Sequence, residues 1–151
     1  QRMPLTLTRS AAGGGVIGTL VLLLAACSAT DTGEAQRRRD MVLVPEDAAV
    51  VDAIRWSDVR TVKPLNRRMV LFRSRDRHYL LVLARPCPGL REDSIVVTRS
   101  RDRIFDPNTD TFDAVDPFPT NSGIVATCIP DTLYAIRDED VDWLEESLAR
   151  Q

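Results

Sequence analysis

The side chains able to do chemistry in this chain are few, and their spacing narrows what they could do. One histidine, His78, and three cysteines, Cys27, Cys87 and Cys128, stand among 151 residues. A zinc site needs closely spaced ligands, and Cys87, Cys128 and His78 supply no close pair. A thiol nucleophile at Cys87 with His78 as its base is the functional alternative to a disulfide, and it requires a free thiolate beside an oriented imidazole. Two arginine rows, Arg73-Ser-Arg75-Asp-Arg77 and Arg99-Ser-Arg101-Asp-Arg103, repeat one alternating pattern. In a strand or hairpin that alternation sends three arginines to one side, a surface suited to the phosphates of an anionic polymer. The plainer reading of the rows is a solvated face that pairs with acidic residues elsewhere.

Asp106, Asn108 and Asp110 place oxygens at every second position, as in the first half of a calcium loop. The second half is missing, because Thr111 stands where the turn glycine belongs and Pro117 where the bidentate glutamate belongs. An ordinary Asx turn is therefore expected there, with a calcium-stabilised domain as the alternative. Asp113 and Asp116 could serve as paired carboxylates in glycoside chemistry. Nothing in the sequence selects them from the eleven acids of residues 104–151. No metal and no cofactor is expected, since no complete ligand set or cofactor motif is present.

Ahead of these groups lies an address. Arg2 and Arg9 precede an uncharged stretch from Ser10 to Thr30 whose apolar part runs from Val16 to Ala26. A positive start, a short apolar run and small residues at its end describe a secretory signal peptide over residues 1–26. The run is shorter than the roughly 20 residues that span a bilayer. Leu24-Ala25-Ala26-Cys27 resembles the lipobox of bacterial lipoproteins, which is cut before the cysteine that then receives acyl chains. The resemblance implies that Cys27 carries the lipid and ties the mature protein to the membrane. Ser28 after it implies export onward to the outer membrane of a Gram-negative cell, facing the periplasm; a soluble periplasmic protein is the alternative.

Residues 27–44 are polar for most of their length and read as the lipidated cysteine with a flexible tether, leaving residues 45–151 as one domain. In an exported domain the pair Cys87 and Cys128 is most simply a disulfide. Pro45-Glu46-Asp47 predicts a short helix running to Ile54, with Val50, Ala53 and Ile54 on one face. Met69–Phe72 and His78–Leu83, flanking Ser74-Arg75-Asp76-Arg77, predict a β-hairpin. Ser94–Thr98 and Gly123–Ile129 read as further strands. Asp138-Glu139-Asp140 ahead of Val141, Leu144 and Leu148 predicts an acid-capped amphipathic helix at the C-terminus. Trp56, Phe72, Tyr79 and Trp143 are expected in the core. The fold class is thus α+β: a single small domain with an antiparallel β-sheet, a short N-terminal helix, a C-terminal amphipathic helix and one disulfide.

Trp56, Tyr79-Leu80, Cys87 with Leu90, Ile95, and Cys128-Ile129 followed by Ile136 resemble a family of small proteobacterial exported proteins known only as a domain of unknown function. The resemblance covers about residues 50–145, and segment 106–122 departs from it in length and acidity. It implies secretion, frequent lipidation and a disulfide, and it transfers no catalytic residue.

Charge is sharply divided. Residues 55–103 hold 13 basic and 5 acidic side chains, whereas residues 104–151 hold 2 and 11. Halves of opposite sign either neutralise each other on folding or serve a partner. Nucleic acid is not the expected partner of an exported, acidic chain. The expectation is a non-enzymatic, lipid-anchored envelope module that binds an envelope protein or an anionic envelope polymer. The alternatives are a hydrolase or thiol enzyme acting on envelope material, and a calcium-stabilised adhesive domain.

Overall fold

Two apolar runs, Met69-Val70-Leu71-Phe72 and Leu80-Leu81-Val82-Leu83, dictate the architecture. Alternation would give strands with one wet face; continuous runs demand burial on both faces. In the computed structural model, which describes residues 33–37, 39–100, 103–117 and 123–150, all eight of these side chains are buried. Cys27, the signal segment and Arg101 lie outside the described residues. Residues 36–151 form one compact unit.

The strands are β1 (Ala49–Val51), β2 (Ile54–Arg55), β3 (Val59–Pro64), β4 (Met69–Ser74), β5 (His78–Leu83), β6 (Ile95–Thr98), β7 (Ile104–Phe105), β8 (Phe112–Val115), β9 (Ile124–Cys128) and β10 (Pro130–Ile136), followed by a C-terminal helix, Asp138–Ala149. A five-stranded antiparallel sheet has the order β1-β10-β5-β4-β3. Beside it lie an antiparallel β6-β8-β9 sheet and the pair β2-β7.

Register sorts the side chains. Val51, Leu133, Leu81 and Val70 are cross-strand partners in sequence, as are Tyr79 and Phe72. Their face packs against Phe105, Phe112, Ala114 and Cys128 of the smaller sheets. The opposite face, with Met69, Leu71, Leu80 and Ile136, is covered by Val141 and Leu144 of the helix and by Val42, Leu43 and Val44. Sheet, central sheet and helix thus make three layers around two cores.

The stretch expected as a tether contributes to the second core at its downstream end. Leu43 N–H donates to Met69 Sδ at 3.2 Å, Asn66 Nδ2 donates to the Met41 carbonyl at 2.7 Å, and Asp40 pairs with Arg67 at 3.5 Å. Packing therefore begins ahead of Pro45.

The hairpin β4–β5 and the C-terminal helix form where the sequence places them. Asp140 accepts the Arg137 backbone N–H at 2.8 Å, and Asp138, Glu139 and Asp140 occupy the positive end of the helix. The short helix expected from Pro45 to Ile54 does not form. Ala49–Val51 is instead a strand that pairs with β10, and Ile54 enters β2. The β-branched residues Val50, Val51 and Ile54 favour extended backbone once a partner strand is available, and tertiary pairing overrides the weak helical signal. Trp143 is a second correction, since it lies on the outer side of the helix and is 43% exposed.

Cys87 and Cys128 form the disulfide, with Cα atoms 5.5 Å apart. It ties the segment after β5 to the end of β9, where the chain leaves the small sheet for the large one. Gly89 sits close by, and an added Cβ there would lie 2.6 Å from Val125 Cγ1. The outward face of the β6-β8-β9 sheet leaves Ile95, Val97 and Ile124 exposed.

Candidate functional site

The residues singled out for chemistry meet different fates. Cys87 and Cys128 are joined, so neither is a thiolate nucleophile in this state. His78 has both ring nitrogens occupied: Nδ1 accepts the Ser74 backbone N–H at 3.3 Å, and Nε2 lies 2.9 Å from Asp138 Oδ1. The ring thus fastens the start of the helix to the β4–β5 hairpin.

Asp113 is buried, with Arg99 Nε donating to its Oδ2 and Thr127 Oγ1 to its Oδ1, both at 2.7 Å. Burial pushes its pKa up, but the two hydrogen bonds and the Arg99 charge outweigh burial and hold the carboxyl below its ordinary value. Both oxygens are therefore committed within the sheet. Across the chain, Glu145 of the helix accepts from Lys63 at 2.9 Å and from Arg73 at 2.7 Å. The Lys63 bond, opposed by burial and helped by Arg73, lowers its pKa as well.

Both depressions have the same sign for stability. A carboxylate whose folded pKa lies below its unfolded value of about 4 stabilises the fold above that value, and the contribution is lost as pH falls through the folded pKa. Melting temperature is therefore expected to hold steady from neutral pH to about 5 and to fall below about 4. Asp113→Asn should flatten that acid limb in thermal melts recorded from pH 7 to 2. An unchanged limb would mean that the Asp113 pair contributes nothing to the acid response.

Asp106 and Asp110 are occupied locally. Asn108 donates from its backbone and its side chain to Asp106 Oδ1, at 2.8 and 3.0 Å, and Asp106 N–H donates to Asp110 Oδ2 at 2.9 Å. This is the Asx turn expected from the sequence. Among the described residues no three His, Cys, Asp or Glu side chains are placed to hold a metal ion.

The described arginines of the two rows do not form one face. Arg73 pairs with Glu145 and Arg99 with Asp113, on different sheets. Arg103 takes a left-handed backbone conformation, with φ of 58°, and its carbonyl accepts the Trp56 N–H at 2.9 Å. Arg75 and Arg77 behave differently: both are exposed in the three-residue hairpin loop and have no ion pair among the described residues.

These two arginines line a hollow of about 510 Å³ at the hairpin end of the central sheet. A third arginine, Arg60, joins them from β3. The register of β3 against β4 shifts between Val59 and Thr61, so Arg60 falls at an irregularity that frees it from pairing. It too has no ion pair among the described residues. Ser57 and Asp58 come from a 3₁₀ turn, Trp56–Asp58, held over the sheet because Trp56 packs edge-on against Phe72 at 5.6 Å. Tyr79, paired with Phe72 across the sheet, and Ser74 complete the polar wall with Asp76. Ser57 Oγ donates to Asp58 at 3.0 Å.

Arg75 and Arg77 were legible as anion-binding candidates from their spacing. Arg60 was not, because a strand irregularity leaves no mark in residue type. A second hollow of about 620 Å³ carries Arg39, Arg67 and Arg91 with Glu92; Arg67 is spent on Asp40, and Leu65, Pro88 and Leu90 make part of the wall apolar.

No helix among the described residues is long and apolar enough to cross a membrane. A family model described as a family of unknown function, DUF6491, matches residues 10–151. Neither the curated proteins nor the solved structures contain a match to the chain. The chain belongs to the family of unknown function DUF6491.

Proposed function

We propose that this member of the family is a lipid-anchored cell-envelope protein that works by binding rather than by catalysis, held through Cys27 at the outer membrane and facing the periplasm. The observation that carries the reading is a division of labour. Four groups suited to covalent or proton-transfer chemistry, Cys87, Cys128, His78 and Asp113, are each held by bonds that tie the fold together. Among the described residues, three arginines around one hollow are left without an ion pair.

Support for export comes from the disulfide, which persists in oxidising compartments and not in a reducing cytosol. Support for the anchor comes from Leu24-Ala25-Ala26-Cys27 at the end of a signal-like segment. Two or more acyl chains on one cysteine give stable membrane attachment, which a single chain does not. The occupant of the arginine hollow is then an anionic component of the envelope.

Growth of expressing cells with a labelled fatty acid tests the anchor. The native chain is expected to take up label, and Cys27→Ala to take up none while still carrying the disulfide. A native chain without label, or equal labelling of the variant, would overturn the lipid assignment.

A further inference from the structure

Arg73-Ser-Arg75-Asp-Arg77 is a row of chemically equal cations, yet folding treats its members unequally. Arg73 is neutralised by Glu145 of the helix, which also takes Lys63. Arg75 and Arg77, two and four residues on, project from the loop with no carboxylate partner among the described residues, and Arg60 is delivered to the same hollow by a break in strand register. Arg60, Arg75 and Arg77 share the lining with only two carboxylates, so an anion entering the hollow meets a wall of net positive charge. Guanidinium groups offer planar forks of N–H donors that match the oxygens of a phosphate group.

The rest of the wall narrows the ligand. Ser57, Ser74 and Tyr79 supply hydroxyls, and Asp58 and Asp76 supply acceptors. Three arginines and two aspartates leave the lining with a net charge of +1. Such a wall suits an anion whose body also offers hydroxyls to the two carboxylates, and it suits an apolar ligand badly. A hollow of about 510 Å³ accommodates a ligand the size of one sugar ring with its phosphate.

We infer that the hollow bounded by Arg60, Arg75 and Arg77 is a binding site for a phosphate ester carried on a hydroxylated body. This rests on the binding role proposed above and adds its ligand chemistry. Two sources share that chemistry: a free sugar phosphate, and the phosphorylated headgroup of a lipid.

Titration calorimetry on the full chain in a neutral detergent tests the site, with glucose 1-phosphate as the free probe and phosphatidylglycerol doped into the micelles as the lipid probe. Binding of the first assigns a free ligand; binding of the second alone assigns a headgroup. In either case Arg75→Ala with Arg77→Ala should weaken binding by about a hundredfold, roughly tenfold for each lost charge-assisted contact. Arg75→Lys should recover only part of it, because the charge returns without the fork. Arg150→Ala, distant in sequence and paired with Glu146, should leave binding unchanged. Thermal melts check that the exposed loop variants remain folded. No binding of either probe, equal binding of unphosphorylated glucose, or unaltered affinity in the folded double variant would overturn the site. The fatty-acid labelling result is independent of all these outcomes, so failure here leaves the anchor standing and failure there leaves the site standing.

Discussion

Replacing Cys87 and Cys128 together by alanine is expected to lower the melting temperature by about 15 °C, at a cost of about 4 kcal/mol. The two cysteines are 41 apart in sequence, and on the chain-entropy model closing a loop of that length removes about 4 kcal/mol of freedom from the unfolded chain. For a unit of about 115 residues each kcal/mol corresponds to roughly 4 °C. The position of the bridge supports the full effect. Both cysteines lie inside the first core, with Cys87 3% and Cys128 1% exposed. Cys87 N–H also donates to the Arg67 carbonyl at 2.7 Å, so the bridge pulls on a segment already fastened to the β3–β4 connection. Alanine at both positions suits the apolar surroundings and leaves no lone thiol at either of them. Melts of the native chain with and without reductant should show a shift of the same sign. A shift under about 3 °C would show that the packing of the β6-β8-β9 sheet stands without its covalent link.

Phe72→Ala is expected to cost about 3–5 kcal/mol, comparable to loss of the disulfide. Phe72 is fully buried in β4 and stands where the three sheets meet. Its ring packs edge-on to Trp56 at 5.6 Å and to Phe105 of β7 at 5.7 Å, while Trp56 and Phe105 are themselves 5.9 Å apart. Truncation removes both ring contacts and leaves a cavity that a central strand held from both sides cannot close by shifting. Phe72→Leu, which refills most of the volume, should cost closer to 1 kcal/mol. Urea melts should show a lower midpoint with an unchanged slope. A cost for Phe72→Ala below about 1 kcal/mol would mean that the aromatic trio is not what joins the sheets. Because Trp56 also carries the turn with Ser57 and Asp58, the same substitution should loosen one wall of the arginine hollow.

What the sequence made legible and what it hid follow from how local each signal is. The β4–β5 hairpin is readable because two apolar runs flank an arginine-rich turn, and the helix because Val141, Leu144 and Leu148 repeat at helical spacing behind three acids. The disulfide is readable from the even pair Cys87 and Cys128 once the signal-like segment is taken to mean export. Strand β10 leaves almost no local mark, since it opens on Pro130-Asp131 and its strongest residues are scattered. It nevertheless lies between β1 and β5, where Tyr134 pairs with Leu80 and Leu133 with Leu81. The helix expected after Pro45 failed for the same reason, because the decisive partner of Ala49–Val51 lies more than eighty residues away. β8 was hidden inside a segment that reads as acidic turn. Asp113 belongs in that strand only because Arg99 and Thr127 flank it from the neighbouring segments.

The candidate site shows the same limit at the level of single side chains. Arg73, Arg75 and Arg77 are interchangeable in the sequence, but the fold puts Arg73 in β4 against Glu145 and leaves Arg75 and Arg77 exposed in the loop. Arg60 enters the site through a register shift, which depends on the pairing of two whole strands.

The chain is proposed to be an exported, lipid-anchored and disulfide-tied binding module. The most direct test is the intact mass of the protein purified from the membrane fraction and alkylated without prior reduction. The expected result is a mass that begins at Cys27 with added acyl chains and no alkyl group on Cys87 or Cys128. An unprocessed chain of 16.9 kDa, or a chain alkylated at both of those thiols, would contradict it.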